Sequence, residues 1–156
     1  MIRFLGNIEA KADAKGRLFI PAQFRKQLQA ANEERIVLRK DIFQACLVLY
    51  PESVWNDELS ELRARLNKWN AMHQQIFRQF VSDVEVITLD SNGRILIPKR
   101  YLQMAGISQE VRFIGIDNII EVWAKEKMEK PFMEPDEFGR EIEKIMSIDI
   151  SNEPER

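Results

Sequence analysis

The chain is poor in the residue types that metal sites and catalytic nucleophiles most often use, with one cysteine and one histidine in 156 residues. A single thiol excludes an internal disulfide. Cys46, inside the apolar run Ala45-Cys46-Leu47-Val48-Leu49-Tyr50, reads as a core thiol of a reducing compartment. One Cys and one His cannot assemble a Cys/His zinc site, so no metal is expected. Neither G-x-G-x-x-G nor G-x-x-x-x-G-K-S/T occurs, which removes the glycine-rich phosphate cradles, and no cofactor is expected. His73 lies in a helical pattern and reads as part of a helix face. The carboxylates are plentiful but scattered, so no catalytic residue is assigned and the chain is not read as an enzyme. No apolar run approaches the roughly 18 residues of a membrane span. The start, MIRFLGNIEAKADAKGR, lacks the apolar core of a signal peptide. Cytoplasm is the expected location.

Excess charge of one sign is also missing overall, since the net charge is −2. Its distribution is uneven. Residues 1–50 carry +4, residues 51–132 carry −1 and residues 133–156 carry −5. A basic N-terminal segment is therefore masked by an acidic tail, and the local field decides what docks.

What the chain does hold is a repeat. DAKGRLFIP at residues 13–21 returns as DSNGRILIP at residues 90–98, an offset of 77. Each copy is preceded by a strand-like stretch (residues 8–12 and 85–89), the second rich in β-branched residues. Asp opens a turn, Gly16 or Asn92-Gly93 supplies the positive φ of a tight hairpin, and an all-apolar strand leaves. Such a strand wants cover on both faces. Pro21 and Pro98 then stop the ladder and start helices over about 22–30 and 99–105, with Phe24, Leu28, Tyr101, Leu102 and Ala105 inward. Each half continues into two more strands, so the order strand, turn, strand, helix, strand, strand occurs twice. Between the halves, Trp55, Leu59, Leu62, Leu66, Trp69, Met72, Ile76 and Phe80 recur at helical spacing and read as core. Asn67 and Asn70 leave one helix or two equally open. The tail 133–156 reads as an amphipathic helix on Phe138, Ile142, Ile145 and Met146 with a frayed acidic end.

The Asp-x-x-Gly-Arg turns are the remaining concentration of chemistry. Asp at the start of a turn can serve the loop N–H groups alone. Asp and Arg can also pair across the neck, where an exposed ion pair is worth about 0–1 kcal/mol. A turn does not require Arg after its Gly, twice. An arginine on a turn suits a phosphate or the O6/N7 edge of guanine. Lys11, Lys15, Arg25 and Lys26 are read around the first turn, Lys99 and Arg100 after the second, as backbone contacts that position without specifying. With Lys11 and Lys15 beside it, the first turn is expected to contribute more binding than the second.

These residues resemble the MraZ family of bacterial transcriptional regulators, related to the AbrB-type swapped-hairpin DNA-binding domains. The likeness covers nearly the whole chain. It runs through Phe4-x-Gly6, Asp13-x-Lys15-Gly16-Arg17 with Ile20-Pro21, Leu49-Tyr50-Pro51 with Trp55, and Arg78-x-Phe80. It continues in Asp90-x-x-Gly93-Arg94 with Ile97-Pro98, Ala105-Gly106, Gly115 and Glu121-x-Trp123. Ala12 stands where a larger apolar residue is usual, and the tail matches no motif. The resemblance implies an α+β fold in which two pseudo-symmetric swapped-hairpin β halves form a small barrel-like sheet core, with short helices. It implies one domain over 1–132, made of repeats at about 1–50 and 82–125, a helical insertion at 51–81 and an acidic helical tail at 133–156. It further implies a nucleoid-associated homo-oligomeric ring that binds direct repeats of double-stranded DNA in its own promoter region and regulates the division and cell-wall gene cluster. Asp13, Lys15, Arg17, Asp90 and Arg94 are the expected DNA-binding residues. The alternative is a ring that scaffolds or inhibits a protein partner, in the manner of an antitoxin, with the turns purely structural.

Overall fold

The computed structural model describes residues 2–127 and 131–147. The acidic end of the tail, past residue 147, lies outside the described residues. The elements are β1 (Phe4–Lys11), β2 (Arg17–Phe19), α1 (Ala22–Ala30), β3 (Arg35–Lys40) and β4 (Leu47–Pro51), then α2 (Glu52–Arg65) and α3 (Ala71–Ser82). There follow β5 (Val84–Thr88), β6 (Arg94–Leu96), α4 (Lys99–Met104), β7 (Glu110–Asp117), β8 (Ile119–Ala124) and α5 (Pro135–Met146). This is an α+β fold with antiparallel sheet. Pro21 and Pro98 cap α1 and α4 with φ of −51° and −57°, where a missing N–H costs nothing.

Strand partners depart from the simple hairpin expected at each turn. β1 pairs with β7 and β5 pairs with β3, while β2 and β6 pair with each other in a separate two-stranded ribbon. The chain therefore leaves each turn in a different sheet from the one it entered. The exchange buries Leu18 and Ile95, which face each other across the ribbon. The larger sheet runs β1-β7-β8-β4-β3-β5. Among the described residues no ladder joins β1 to β5, so the barrel-like closure expected from sequence is not part of the pairing.

Residues of both halves share one core. Phe4 meets Phe24 edge-on at 5.5 Å, and Leu18, Ile20, Ile95, Ile97 and Tyr101 are fully buried around them. Side chains of this size stabilise by about 1.5–3 kcal/mol each when fully buried. Gly115 lies in this layer for a spatial reason: a Cβ there would stand 2.5 Å from the backbone carbon of Phe4 in the neighbouring β1.

The insertion is two helices. Asn70 caps α3 by accepting the N–H groups of Met72 and His73, so the Asn pair that weakened the helical pattern is the break. His73 is used locally, its Nδ1 accepting the Asn67 N–H at 2.8 Å. The apolar stripe does not stay in the core. Trp55 is buried and stacks on Phe80 at 5.1 Å, over the guanidinium of the buried Arg39. Trp69, Met72 and Ile76 are exposed, Trp69 at 85%. Trp69 lies between the two helices, and along α3 the face of Met72, Ile76 and Phe80 reaches the core only at its C-terminal end, through Phe80 on Trp55. A cleft of about 580 Å³ also opens beside α3, lined by Leu66, His73 and Phe77 among others.

Contacts divide the chain into two units, Met1–Lys125 and Glu126–Arg156. In the second, α5 begins with Pro135 and carries acidic residues in its first turn and Lys144 in its last, the arrangement a helix dipole favours. Its Phe138, Ile142, Ile145 and Met146 are exposed. No helix among the described residues is long and apolar enough to cross a membrane.

Candidate nucleic-acid interface

Both turns are built the same way. Gly16 and Gly93 take φ of +85° and +81°, a region in which a Cβ is strained. In the first turn, Oδ1 of Asp13 accepts the N–H groups of Lys15 and Arg17, each at 2.9 Å. Its Oδ2 accepts Nε of Arg17 at 2.6 Å. In the second, Oδ1 of Asp90 accepts from Asn92 and Arg94 at 2.9 Å, and Oδ2 accepts Nε of Arg94 at 2.8 Å. The Asp–Arg pairing weighed from sequence is thus present in both copies, so each arginine ties down its turn as well as facing outward.

The backbone N–H of Arg17 is the largest cause holding the Asp13 carboxyl below its ordinary value, with partial burial opposing it. Asp90 is lowered in the same way by the N–H of Arg94. Both carboxylates stay charged and keep their arginines oriented. Only Nε of each guanidinium is engaged by Asp, and the terminal nitrogens have no protein acceptor among the described residues.

The ribbon sets the two arginines on one face. Arg17 lies opposite Leu96, Leu18 opposite Ile95 and Phe19 opposite Arg94. Alternation sends Leu18 and Ile95 inward and leaves Arg17, Phe19, Arg94 and Leu96 outward. Phe19 is 57% and Leu96 55% exposed, so these strands are covered on one face rather than on both. Phe19 and Leu96 are the surface residues that sequence reading missed. Counting by twos from Arg17 would have put Phe19 beside it. Backbone bonds lock the turns together: Ile20 N–H donates to Gly93 O, and Ile97 N–H to Gly16 O, both at 3.1 Å.

The other basic residues scatter. Lys15, Lys26 and Lys99 are exposed. Lys11 ends β1 opposite Glu110. Arg100 is engaged by Asp83 at 3.3 Å, Glu85 at 3.8 Å and the Tyr101 hydroxyl at 2.8 Å, and so has little left for an outside anion. Arg25, read from sequence beside the first turn, lies instead on the second. An ideal Cβ at Gly93 would stand 2.5 Å from Arg25 Nη1 and 2.6 Å from its Cδ. Exchange of strands between the halves is what moves it there. No group of three or more His, Cys, Asp or Glu able to hold a metal occurs among the described residues.

Fold and site together define a class: α+β proteins that carry two Asp-anchored arginine turns on a single two-stranded ribbon. The family profile described as "MraZ protein, putative antitoxin-like" matches residues 3–78 and 80–143. The chain belongs to the MraZ family. It is 71% identical to the transcriptional regulator MraZ of Bacteroides thetaiotaomicron over 156 residues, the whole of both chains. It is 74% identical to that of Bacteroides fragilis over 146 residues, 94% of this chain and 92% of the relative. With that of Phocaeicola vulgatus it shares 65% over 154 residues, 99% and 100% of the two.

Proposed function

We propose that the chain is a sequence-specific DNA-binding transcription regulator acting on the promoter of its own operon in the division and cell-wall gene cluster. The observation that carries this reading is the outward ribbon face, where Asp13 and Asp90 fix two arginines by Nε and leave their terminal nitrogens without protein acceptors. Such nitrogens suit phosphate oxygens or guanine O6 and N7. The neighbouring Phe19 and Leu96 suit thymine methyl groups, and a two-stranded ribbon fits a major groove about 12 Å wide. Lys15 and Lys26 add phosphate contacts that position the ribbon. The relatives' name, transcriptional regulator, supports the same role.

In this reading the unit Met1–Lys125 is one domain of two pseudo-symmetric swapped halves. The crossed pairings β1 with β7 and β5 with β3 are what support that symmetry. Copies of the chain assemble as a ring in the cytoplasm, at the nucleoid, and repeated weak sites gain effective concentration on direct repeats. The exposed apolar residues Phe43, Trp69 and Met72 support an assembling surface. The same residues favour the second reading, a ring that binds a protein partner in an antitoxin-like role. A gel shift with the upstream DNA of its own operon, at stated salt and with random competitor, separates the two. Retention on the promoter fragment above random duplex supports the regulator, and equal retention on both overturns it.

A further inference from the structure

The two turns share a backbone but not their surroundings. At the first, the residue over the glycine is Leu102, whose Cδ1 lies 3.4 Å from an ideal Cβ at Gly16. At the second, Arg25 holds that place over Gly93. Positions 25 and 102 are separated by the repeat offset of 77, so one half offers a guanidinium where the other offers an isobutyl group. The ribbon repeats the contrast. Arg17 faces the aliphatic Leu96, whereas the guanidinium carbon of Arg94 lies 5.7 Å from the centre of the Phe19 ring. Arg94 is accordingly the more enclosed arginine, with its side chain 25% exposed against 36% for Arg17.

Phe19 and Arg25 both come from the first half of the chain, yet both serve the second turn. An aromatic platform restricts Arg94 before any ligand arrives, and such preorganisation favours binding. Arg25 Nε is buried with no hydrogen-bond partner among the described residues. That nitrogen is closed to solvent, as Arg112 Nε is, so an outside anion would meet the terminal nitrogens of the Arg25 fork, which also have no protein acceptor among the described residues. No carboxylate pairs with this guanidinium among the described residues, and an anionic oxygen is the acceptor its fork suits best. Lys15, the added cation of the first turn, is an exposed point charge with no comparable enclosure.

We infer, building on the DNA-binding reading above, that the two turns are unequal. The second is the stronger DNA contact because Phe19 steadies Arg94 while Arg25 clamps a backbone phosphate beside it. This reverses the weighting that Lys11 and Lys15 suggested from sequence alone.

The test is binding of the full-length protein to its own upstream DNA, followed by fluorescence anisotropy over a range of salt. Arg94→Ala is expected to lose more affinity than Arg17→Ala. Arg25→Leu, which copies Leu102, is expected to lose roughly tenfold and to lower the salt slope by about one. Its effect adds to that of Arg17→Ala and falls short of adding to that of Arg94→Ala. Phe19→Leu, which copies Leu96 and leaves α1 untouched, narrows the gap between the two arginine variants even where Arg25→Leu folds poorly. Equal losses at Arg17 and Arg94, wild-type binding by a folded Arg25→Leu, or coupling of Arg25 to Arg17 would overturn the inference. A wild-type protein that does not prefer its promoter to random duplex overturns the DNA-binding reading itself, and is recognised before any variant is made.

Discussion

Asp13 grips Arg17 at two points, taking its backbone N–H on Oδ1 at 2.9 Å and its Nε on Oδ2 at 2.6 Å. One carboxylate therefore shapes the turn and aims the guanidinium, and the two tasks separate by mutation. Asp13→Asn keeps an oxygen for the turn amides but loses the charge that holds Nε. Asp13→Ala loses both. The expected outcome is a thermal midpoint close to wild type for Asn and lower by about a few degrees for Ala, with promoter affinity reduced in both. Equal midpoints for wild type and Asp13→Ala would show that the turn does not depend on its Asp.

Arg17→Lys and Arg17→Ala ask whether the guanidinium reads bases or only adds charge. Lysine keeps the positive charge but not the planar fork. If Arg17 reaches a base edge, Lys should retain the salt slope and lose discrimination between promoter and random duplex by roughly one order of magnitude. Ala should in addition lower the slope by about one. Competition binding at two salt concentrations measures both quantities. Unchanged discrimination in the Lys variant would confine Arg17 to the phosphate backbone.

Some of this site was legible in the sequence because its constraints are local. A positive φ at Gly16 and Gly93, a carboxylate serving amides two and four residues on, and Pro21 before a helix are all settled within a few residues. Partner choice is not local. β1 and β5 carry similar patterns, so nothing in either tells the chain's reader that β1 will lie on β7. The position of Arg25 on the opposite half's turn follows from that exchange and was hidden with it. Phe19 and Leu96 were misread for another reason. Three-residue strands apolar at every position after the arginine look buried on both sides, and only pairing reveals which side faces out.

Acid should loosen both turns together. The unfolded carboxyls return to their ordinary value of 3.8, and in the folded protein both lie lower. As pH falls, the unfolded chain takes up protons first, so the stabilisation is complete above that value. It is then lost as pH drops through the folded values. Because both groups are exposed, the loss is modest. Carboxyl carbon titration by NMR should give two midpoints below the free-Asp value, and Asn at either position should remove one of them. Midpoints at or above the ordinary value would contradict the hydrogen bonding described.

The two turn glycines should respond differently to a side chain. Both take positive φ, which costs an L-residue about 1–2 kcal/mol. At Gly16 an ideal Cβ would also stand 2.9 Å from the carbonyl oxygen of Ile97, a backbone atom fixed beside Gly16 because the Ile97 N–H donates to Gly16 O. At Gly93 the obstacle is the Arg25 side chain, which can swing away. Gly16→Ala is therefore expected to be the more destabilising by urea unfolding. Asn tolerates the left-handed region better than Ala, and should recover part of the loss at Gly93 but little at Gly16, where its Cβ meets the same carbonyl. DNA binding separates them in the opposite sense. Gly93→Ala pushes Arg25 off the second turn in a protein that still folds, so its affinity should fall further than its stability alone accounts for. Matching losses of stability and affinity at both glycines would mean that Arg25 has no part in binding.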